Sequence, residues 1–362
     1  MKKKLKIAII GQGRSGRDIH GAFFKTEQND MFDVMYVVER DELRRRRAEE
    51  EYPSCKGLAS VEDLYGIEGI DLVVNAGYSD DHYPITLDLI NHGFNVVVEK
   101  PFARTRGECD TLISMAKKKG VVLAVFQQTF LAPIYKETCR VIDSGILGDI
   151  KQVSIRYNGF SRRWDWQTLL SRCAGSIYNT GPHPIGMGLG FLDFAPDWRV
   201  AFSRLDTALT SGDGEDYAKI ILAASGKPVV DIEMSSVDAF NDYNILVQGS
   251  LGTYKCTTTK YQMKYITPGE NPERPVIFES LKDENGYPIY CSEQLITHEE
   301  AGDFHGSAFD TAVCSFYTGV YNLINDGTPM EVTPEMAAQI ISVIEQVHAE
   351  NPLPLIYPTV NG

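Results

Sequence analysis

A doubly wound parallel α/β sheet, followed by an α+β part built on a large, mainly antiparallel open sheet, is the architecture that three features of this sequence predict. The run Lys6–Ile10 is apolar without alternation, as a strand buried on both faces of a parallel sheet requires. It passes directly into Gly-Gln-Gly-Arg-Ser-Gly at 11–16, and then into a stretch with Ile19, Ala22 and Phe23 at helical spacing. Beyond Ile150 the pattern changes to period-two alternation with short turns, the mark of antiparallel strands.

The elements follow in order. Phe32–Glu39 reads as a second strand, and apolar stretches within 69–77, 94–100 and 120–126 read as further strands, with helical segments between them. Residues 80–93 open on Asp80 and Asp81, suited to a helix cap, and end at Gly93, suited to a position just past a helix. The block Arg44–Arg47, followed by Glu49, Glu50 and Glu51, reads as a solvated helix face. We set the first domain at 1–126 and the second at 127–362. In the second, Ile150–Phe160 reads as a strand, 217–236 as a hairpin around Ser225, Gly226 and Lys227, and 243–259 as another around Gly249–Gly252. Two helices close the chain; the last opens on Thr333, Pro334 and Glu335 and carries Ala338, Ile341, Ile344 and Val347 on one face.

Composition bounds the function. With 362 residues the chain exceeds one ordinary core, and 43% apolar with 23% charged residues is a soluble globular mixture. No apolar run approaches the ~18 residues of a membrane span, and the basic start is followed by too short an apolar stretch for an export signal. A net charge of -14 disfavours nucleic acid and anionic membranes as partners. The seven cysteines contain no Cys-x-x-Cys pair, which argues for reduced thiols in a cytoplasm and against a zinc site. His82, His183 and His305 have no metal-ligand spacing, so no metal is expected.

The strand, glycine turn and helix form a dinucleotide fingerprint. Gly11 permits the tight turn, Gly13 lets backbone approach a pyrophosphate, and Gly16 lets helix and strand pack closely. Arg14 and Ser15 lie inside the same turn and, with Asn75 at the end of a later strand, are cofactor candidates. Glu39 ends the second strand at about the ~20-residue distance of the acid that binds a ribose diol. That carboxylate favours NAD and would repel the extra phosphate of NADP; Arg40 and the arginine block keep NADP open.

The segments at 9–16 (IIGQGRSG), 37–41 (VVERD), 96–103 (VVVEKPFA) and 175–186 (GSIYNTGPHPIG), in this order, resemble the Gfo/Idh/MocA family of NAD(P)-dependent sugar and polyol dehydrogenases. The likeness extends over nearly the whole chain. It implies a Rossmann domain first, a second domain through whose open sheet relatives commonly pair, and a homodimer or homotetramer. It implies that Lys100 contacts both nicotinamide and the substrate oxygen, that Glu99 holds its loop, that a cis bond precedes Pro101, and that His82 sits near the cofactor. It also implies that His183 is the proton acceptor, with Asn179 standing where the family usually has aspartate. An asparagine can orient the imidazole but supplies no charge, so a lowered His183 pKa and action as a base mainly above neutral pH are expected.

Substrate contacts are expected from Arg163, Trp164 and Trp166, which mix aromatic platforms with polar groups and equally suit a structural loop, and from Gln127 and Tyr178. The function implied is reversible dehydrogenation of a secondary alcohol of a sugar, inositol or polyol. A cofactor-binding regulator without turnover and an NAD-dependent glycosidase remain open beside it.

Overall fold

The computed structural model describes residues 3–358. Its first sheet contains six parallel strands, β1 (Leu5–Ile10), β2 (Phe32–Val38), β3 (Lys56–Leu58), β4 (Leu72–Asn75), β5 (Val96–Val98) and β6 (Leu123–Val125), in the order β3-β2-β1-β4-β5-β6. This is the doubly wound order, whose switch point lies between β1 and β4. The alternation within each strand shows why the sequence runs are uniformly apolar. Ile7, Ile9, Leu72, Val74 and Val97 pack on one side, while Ala8, Ile10, Val73, Val96 and Val98 pack on the other. Both faces are therefore covered. The edge strand β3 has only three residues, one of them glycine, and is too short to read from periodicity.

Around this sheet lie α1 (Gly21–Phe24), continuing a wide helical turn at Arg14–His20, then α2 (Glu42–Glu51), α3 (His82–Asn91) and α4 (Arg106–Lys119). Helix α4 starts in a complete capping box between Thr105 and Glu108 and stops at Gly120, whose φ of 69° is costly for other residues. The acids before α3 do not cap it. Asp81 makes no side-chain cap bond, and Asp80 instead pairs with Arg172 at 2.9 Å, so the expected helix cap is corrected to a tether between the two halves of the chain. Nor is the arginine block merely solvated: Arg45 donates to the carbonyls of Glu39 and Arg40, and Arg47 to that of Gln12.

A short helix, α5 (Pro133–Asp143), leads to the second sheet. Its strands are β7 (Ile150–Asn158), β8 (Arg199–Asp206), β9 (Tyr217–Ala223), β10 (Val229–Ser235), β11 (Ile245–Gly249), β12 (Gly252–Cys256), β13 (Lys260–Tyr265) and β14 (His298–Asp303). The order is β14-β13-β12-β11-β7-β10-β9-β8, antiparallel throughout except for β7 beside β10. Both expected hairpins are present, β9–β10 and β11–β12.

One face of this sheet is covered by α7 (Pro182–Phe191), which follows the single turn α6 (Ser176–Asn179), and by α9 (Pro334–Glu350). Helix α9 is capped by the Thr333 side chain and buries Ala338, Ile341, Ile344 and Val347, as its sequence requires. The other face carries an ion network in which Asp231 binds Arg156 at 2.7 Å and Lys219 at 2.6 Å, beside the exposed Phe202. Between β13 and β14 the chain makes an exposed excursion, 266–297, that shows Phe278 and Tyr290 to solvent.

Helix α8 (Thr311–Asp326) comes late in the sequence but packs on the first sheet. Its Val313, Phe316, Tyr317, Val320 and Tyr321 fill one core with Ile7, Ile9, Phe32 and Val34. The two sheets are thus joined by packing as well as by chain. Among the described residues no helix is long and apolar enough to cross a membrane.

Candidate active site

Between the two sheets, at the C-terminal ends of β1, β2, β4 and β5, lies a cleft of about 1200 Å³. Ligands of doubly wound sheets bind there because strand ends and helix starts direct unpaired backbone donors outward. The three glycines sit in three different surroundings. Gly11 has φ of 88°, and a Cβ on it would lie 2.5 Å from the Ala76 carbonyl oxygen. On Gly16 a Cβ would lie 1.9 Å from the Gly11 carbonyl oxygen. Gly13 differs: an added Cβ meets no protein atom within 4 Å and would project into open space on the cleft wall. That space suits a pyrophosphate, so these residues fit a dinucleotide.

Gly11, Gly13, Arg14, Ser15, Glu39, Arg40, His82, Glu99 and Lys100 all line this cleft. Glu39 accepts the backbone N–H of Gln12 at 2.9 Å and of Asp41 at 3.1 Å, which fixes its carboxylate and leaves lone pairs for a diol. Arg44 stands 3.7 Å from it and also faces the cleft. Asn75 does not line the cleft. It is buried, donates to the His82 carbonyl and the Thr86 hydroxyl, and holds the loop after β4 in shape.

At the inner end, Lys100 reaches across from β5 and donates from Nζ to the Asn179 backbone carbonyl at 2.8 Å. The bond from Lys100 to Pro101 is cis. Burial pulls the ammonium below the usual lysine range, Arg14 adds to this, and the Glu99 carboxylate opposes it. Burial alone would push Glu99 up, but the hydrogen bond from His20 and the nearby Lys100 charge outweigh it and hold the carboxyl at about 2. His82 gives its Nδ1 proton to the Pro101 carbonyl at 2.7 Å, and burial lowers its pKa.

His183 is on the same wall, but Asn179 does not orient it. The imidazole Nδ1 pairs with the Thr129 hydroxyl at 2.5 Å, whereas the Asn179 side chain accepts from Gln167 at 3.0 Å. The chain between them explains this correction. Helix α6 ends at Asn179 and α7 begins at Pro182, so Asn179 and His183 do not share a continuous helix face. Burial first, then the Lys100 charge, lowers the His183 pKa to about 3. The ring is therefore neutral throughout the neutral range, and the expectation of a base working mainly above neutral pH is corrected.

The expected substrate residues separate. Arg163 and Trp166 line the cleft, Arg163 held by Asp165 at 2.8 Å and Trp166 edge-on to Tyr78 at 4.9 Å. Trp164 is 74% exposed and lies off the cleft wall. Gln127 is buried and points away, because the chain turns there into the short helix Gln128–Leu131 and brings Gln128 and Thr129 to the wall instead. Tyr178 is also off the wall; its hydroxyl donates to the Arg104 carbonyl at 2.8 Å and its ring stacks on His348.

Sequence reading missed Gln128, Thr129, Gln167 and the loop residues Phe304 and Phe309, all of which line the cleft. The first two follow a strand end and were readable as such; the loop is distant in sequence and has no local signal. Among the described residues no group of three or more His, Cys, Asp or Glu side chains is placed to hold a metal.

Comparison with known proteins gives the family. The model of the oxidoreductase family with an NAD-binding Rossmann fold matches residues 5–127, and the Gfo/Idh/MocA C-terminal domain matches 135–255. The chain belongs to the Gfo/Idh/MocA oxidoreductases. A scyllo-inositol 2-dehydrogenase (NADP(+)) of Bacillus subtilis is 27% identical to this family member over 343 residues, covering 94% of this chain and 92% of its own. An uncharacterized oxidoreductase of Schizosaccharomyces pombe is 25% identical over 279 residues, 75% of each chain. Among solved structures, the WlbA dehydrogenase of Bordetella pertussis, in complex with NADH and UDP-GlcNAcA, superposes with a TM-score of 0.74 at 16% identity, covering 96% of this chain and 95% of that one. The family and the glycine cradle agree on NAD(P)-dependent oxidoreduction.

A second charged pair supports the site from behind. Glu215 is buried, accepts the Ile177 N–H at 2.7 Å at the start of α6, and stands 3.4 Å from His348. Burial alone would lower the His348 pKa, but Glu215 outweighs it and raises it above its ordinary value. A raised histidine pKa stabilises the fold fully below the unfolded value and loses that contribution as pH rises through the folded one. The stability advantage of the wild type over His348→Gln is expected to be greatest below about pH 6.5 and to fade as pH rises above it. Urea midpoints measured for both proteins across this range check the direction; a constant difference contradicts it.

Proposed function

We propose that this oxidoreductase transfers hydride between a secondary alcohol of a sugar, inositol or related polyol and a nicotinamide dinucleotide, with Lys100 and His183 at the reacting oxygen. The observation that carries the reading is that Lys100 and His183 line one cleft, with the Lys100 Nζ held at the Asn179 carbonyl and burial lowering the His183 pKa. Lys100 uses one of its three donors on Asn179 and keeps the others for a substrate oxygen, where a fixed cation stabilises a developing alkoxide. In the tautomer that gives Nδ1–H to the Thr129 hydroxyl, His183 has a free Nε2 lone pair to take the hydroxyl proton. Burial first, and then the Lys100 charge, keep that nitrogen unprotonated before substrate arrives, so the two roles support one another. When bound, the nicotinamide supplies the hydride acceptor that no side chain can provide.

Cofactor choice rests on Glu39. Its carboxylate faces the place where an adenosine ribose would lie, which favours NAD, although Arg40 and Arg44 beside it could receive a phosphate. The polyol class rests on the polar and aromatic wall of Arg163, Trp166 and Gln167, and on the inositol dehydrogenase among the relatives. All cysteines are free thiols, which suits the cytoplasm. We also propose pairing of two copies through the uncovered face of the second sheet; sedimentation as a monomer alone at working concentration would count against it.

The test is absorbance of reduced nicotinamide with a panel of inositols, aldoses and sugar acids, using NAD and NADP separately. The wild type is expected to reduce NAD in preference, and Lys100→Ala to lose about 10²- to 10³-fold in kcat. Undiminished turnover in Lys100→Ala would refute the assignment.

A further inference from the structure

Lys100 and Glu99 are neighbours of opposite charge in a poorly solvated place, yet the ammonium bonds to the Asn179 carbonyl and not to the Glu99 carboxylate. In dry surroundings such a pair would be expected to close, because attraction is strong where water is excluded. A closed pair would withdraw the ammonium from the cleft.

What keeps it open is visible behind the strand end. Glu99 is 2% exposed, and each of its oxygens is held by a donor that fixes which way the carboxylate faces. Oε2 accepts the Lys100 backbone N–H at 2.9 Å, and Oε1 accepts from His20 Nε2 at 3.1 Å. On the far side of the imidazole, Nδ1 pairs with the Tyr317 hydroxyl at 2.6 Å. His20 and Tyr317 are fully buried, and they come from the first helical turn and from α8. The imidazole is wedged against Phe126, ring centroids 4.3 Å apart, so it cannot easily turn away.

We propose that His20 and Tyr317 are positioning residues that hold the Glu99 carboxylate away from the Lys100 ammonium and so leave that ammonium free for the substrate oxygen. The inference rests on the proposed role of Lys100. With Glu99 ionised, Nε2 of His20 is the donor in that contact; in the neutral imidazole Nδ1 is then the acceptor, and the Tyr317 hydroxyl, as its donor, favours that tautomer. The charged and titratable groups around the pair are Lys100 and His82 beside Glu99, Arg14 and His183 facing Lys100, and Tyr52 toward Tyr317. With the His20 donor removed, Oε1 is free to swing, and the ammonium is the strongest partner within reach.

This arrangement gives α8 a purpose besides packing. Tyr317 lies in a cluster with Phe23, Phe24, Phe32 and Phe316, where a phenylalanine would pack as well. Among the described residues its hydroxyl makes one hydrogen bond, the one to His20.

The experiment is competitive acetylation of Lys100, read by mass spectrometry against pH, which gives the lysine pKa without any substrate. It is run on the wild type, His20→Phe, His20→Gln and the isosteric Tyr317→Phe, with kcat and cofactor affinity measured beside it. The Lys100 pKa is expected to rise by about one unit in His20→Phe as the ion pair closes, and less in Tyr317→Phe. Turnover should fall about tenfold with cofactor affinity unchanged, and His20→Gln, which retains a donor, should restore most of both. A Lys100 pKa that stays fixed or falls in His20→Phe and in Tyr317→Phe would overturn the proposal, whatever happens to turnover. Absence of hydride transfer by the wild type on every substrate would instead refute the function and leave the labelling result to decide the geometry.

Discussion

A buried carboxylate at the end of β5 is the constraint on which the rest of the site depends. An ionised Glu99 with no donors would cost several kcal/mol, and the fold meets that cost with a histidine from the glycine-turn helix, a backbone N–H from the next residue and a lysine close by. Each donor fixes something else. The backbone bond shapes the turn that carries Lys100, and the histidine ties the cofactor-side helix to the strand end. Through Tyr317 the same carboxylate reaches α8, so a helix from the end of the chain is braced against the centre of the first sheet.

The electrostatics of the inner cleft follow from this bracing. Lys100 is held across the gap by Asn179, and its charge, added to burial, keeps His183 neutral. In the proposed function, this ammonium and this neutral imidazole are the donor and the acceptor for one hydroxyl. The single turn α6 is in turn held by Glu215 at its start, which connects the position of Asn179 to the His348 pair on α9. The part of the cleft that holds Lys100 and His183 is thus supported from both sheets, and Gly13 faces open space in the same cleft.

Much of this was legible in the sequence, and the limits have physical causes. The parallel strands, the tight packing at Gly11 and Gly16, and the places of Glu39 and of the end of β5 could be read because each depends on local pattern: apolar runs, backbone freedom, and a charge where an apolar run stops. The second sheet was readable from its hairpins. What could not be read was which partner a side chain would choose. Asn179 and His183 are four apart, and a continuous helix would have put them side by side; the break before Pro182 sent one to Gln167 and the other to Thr129. Gln127 failed for a similar reason, a turn that exchanged its place with that of Gln128. The loop at Phe304–Phe309 reaches the cleft only because the second sheet carries it there, and nothing near it in sequence says so. His20 and Tyr317, 297 positions apart, have no shared pattern at all.

The central claim is that one substrate hydroxyl meets Lys100 and His183 together. A crystal structure with NAD and a polyol identified by turnover tests it most directly. The account predicts that a single hydroxyl lies within hydrogen-bond distance of both Lys100 Nζ and His183 Nε2, with Glu99 still bound to His20. A polyol whose reacting hydroxyl sits away from His183, or a Lys100 turned back onto Glu99 in that complex, would contradict it.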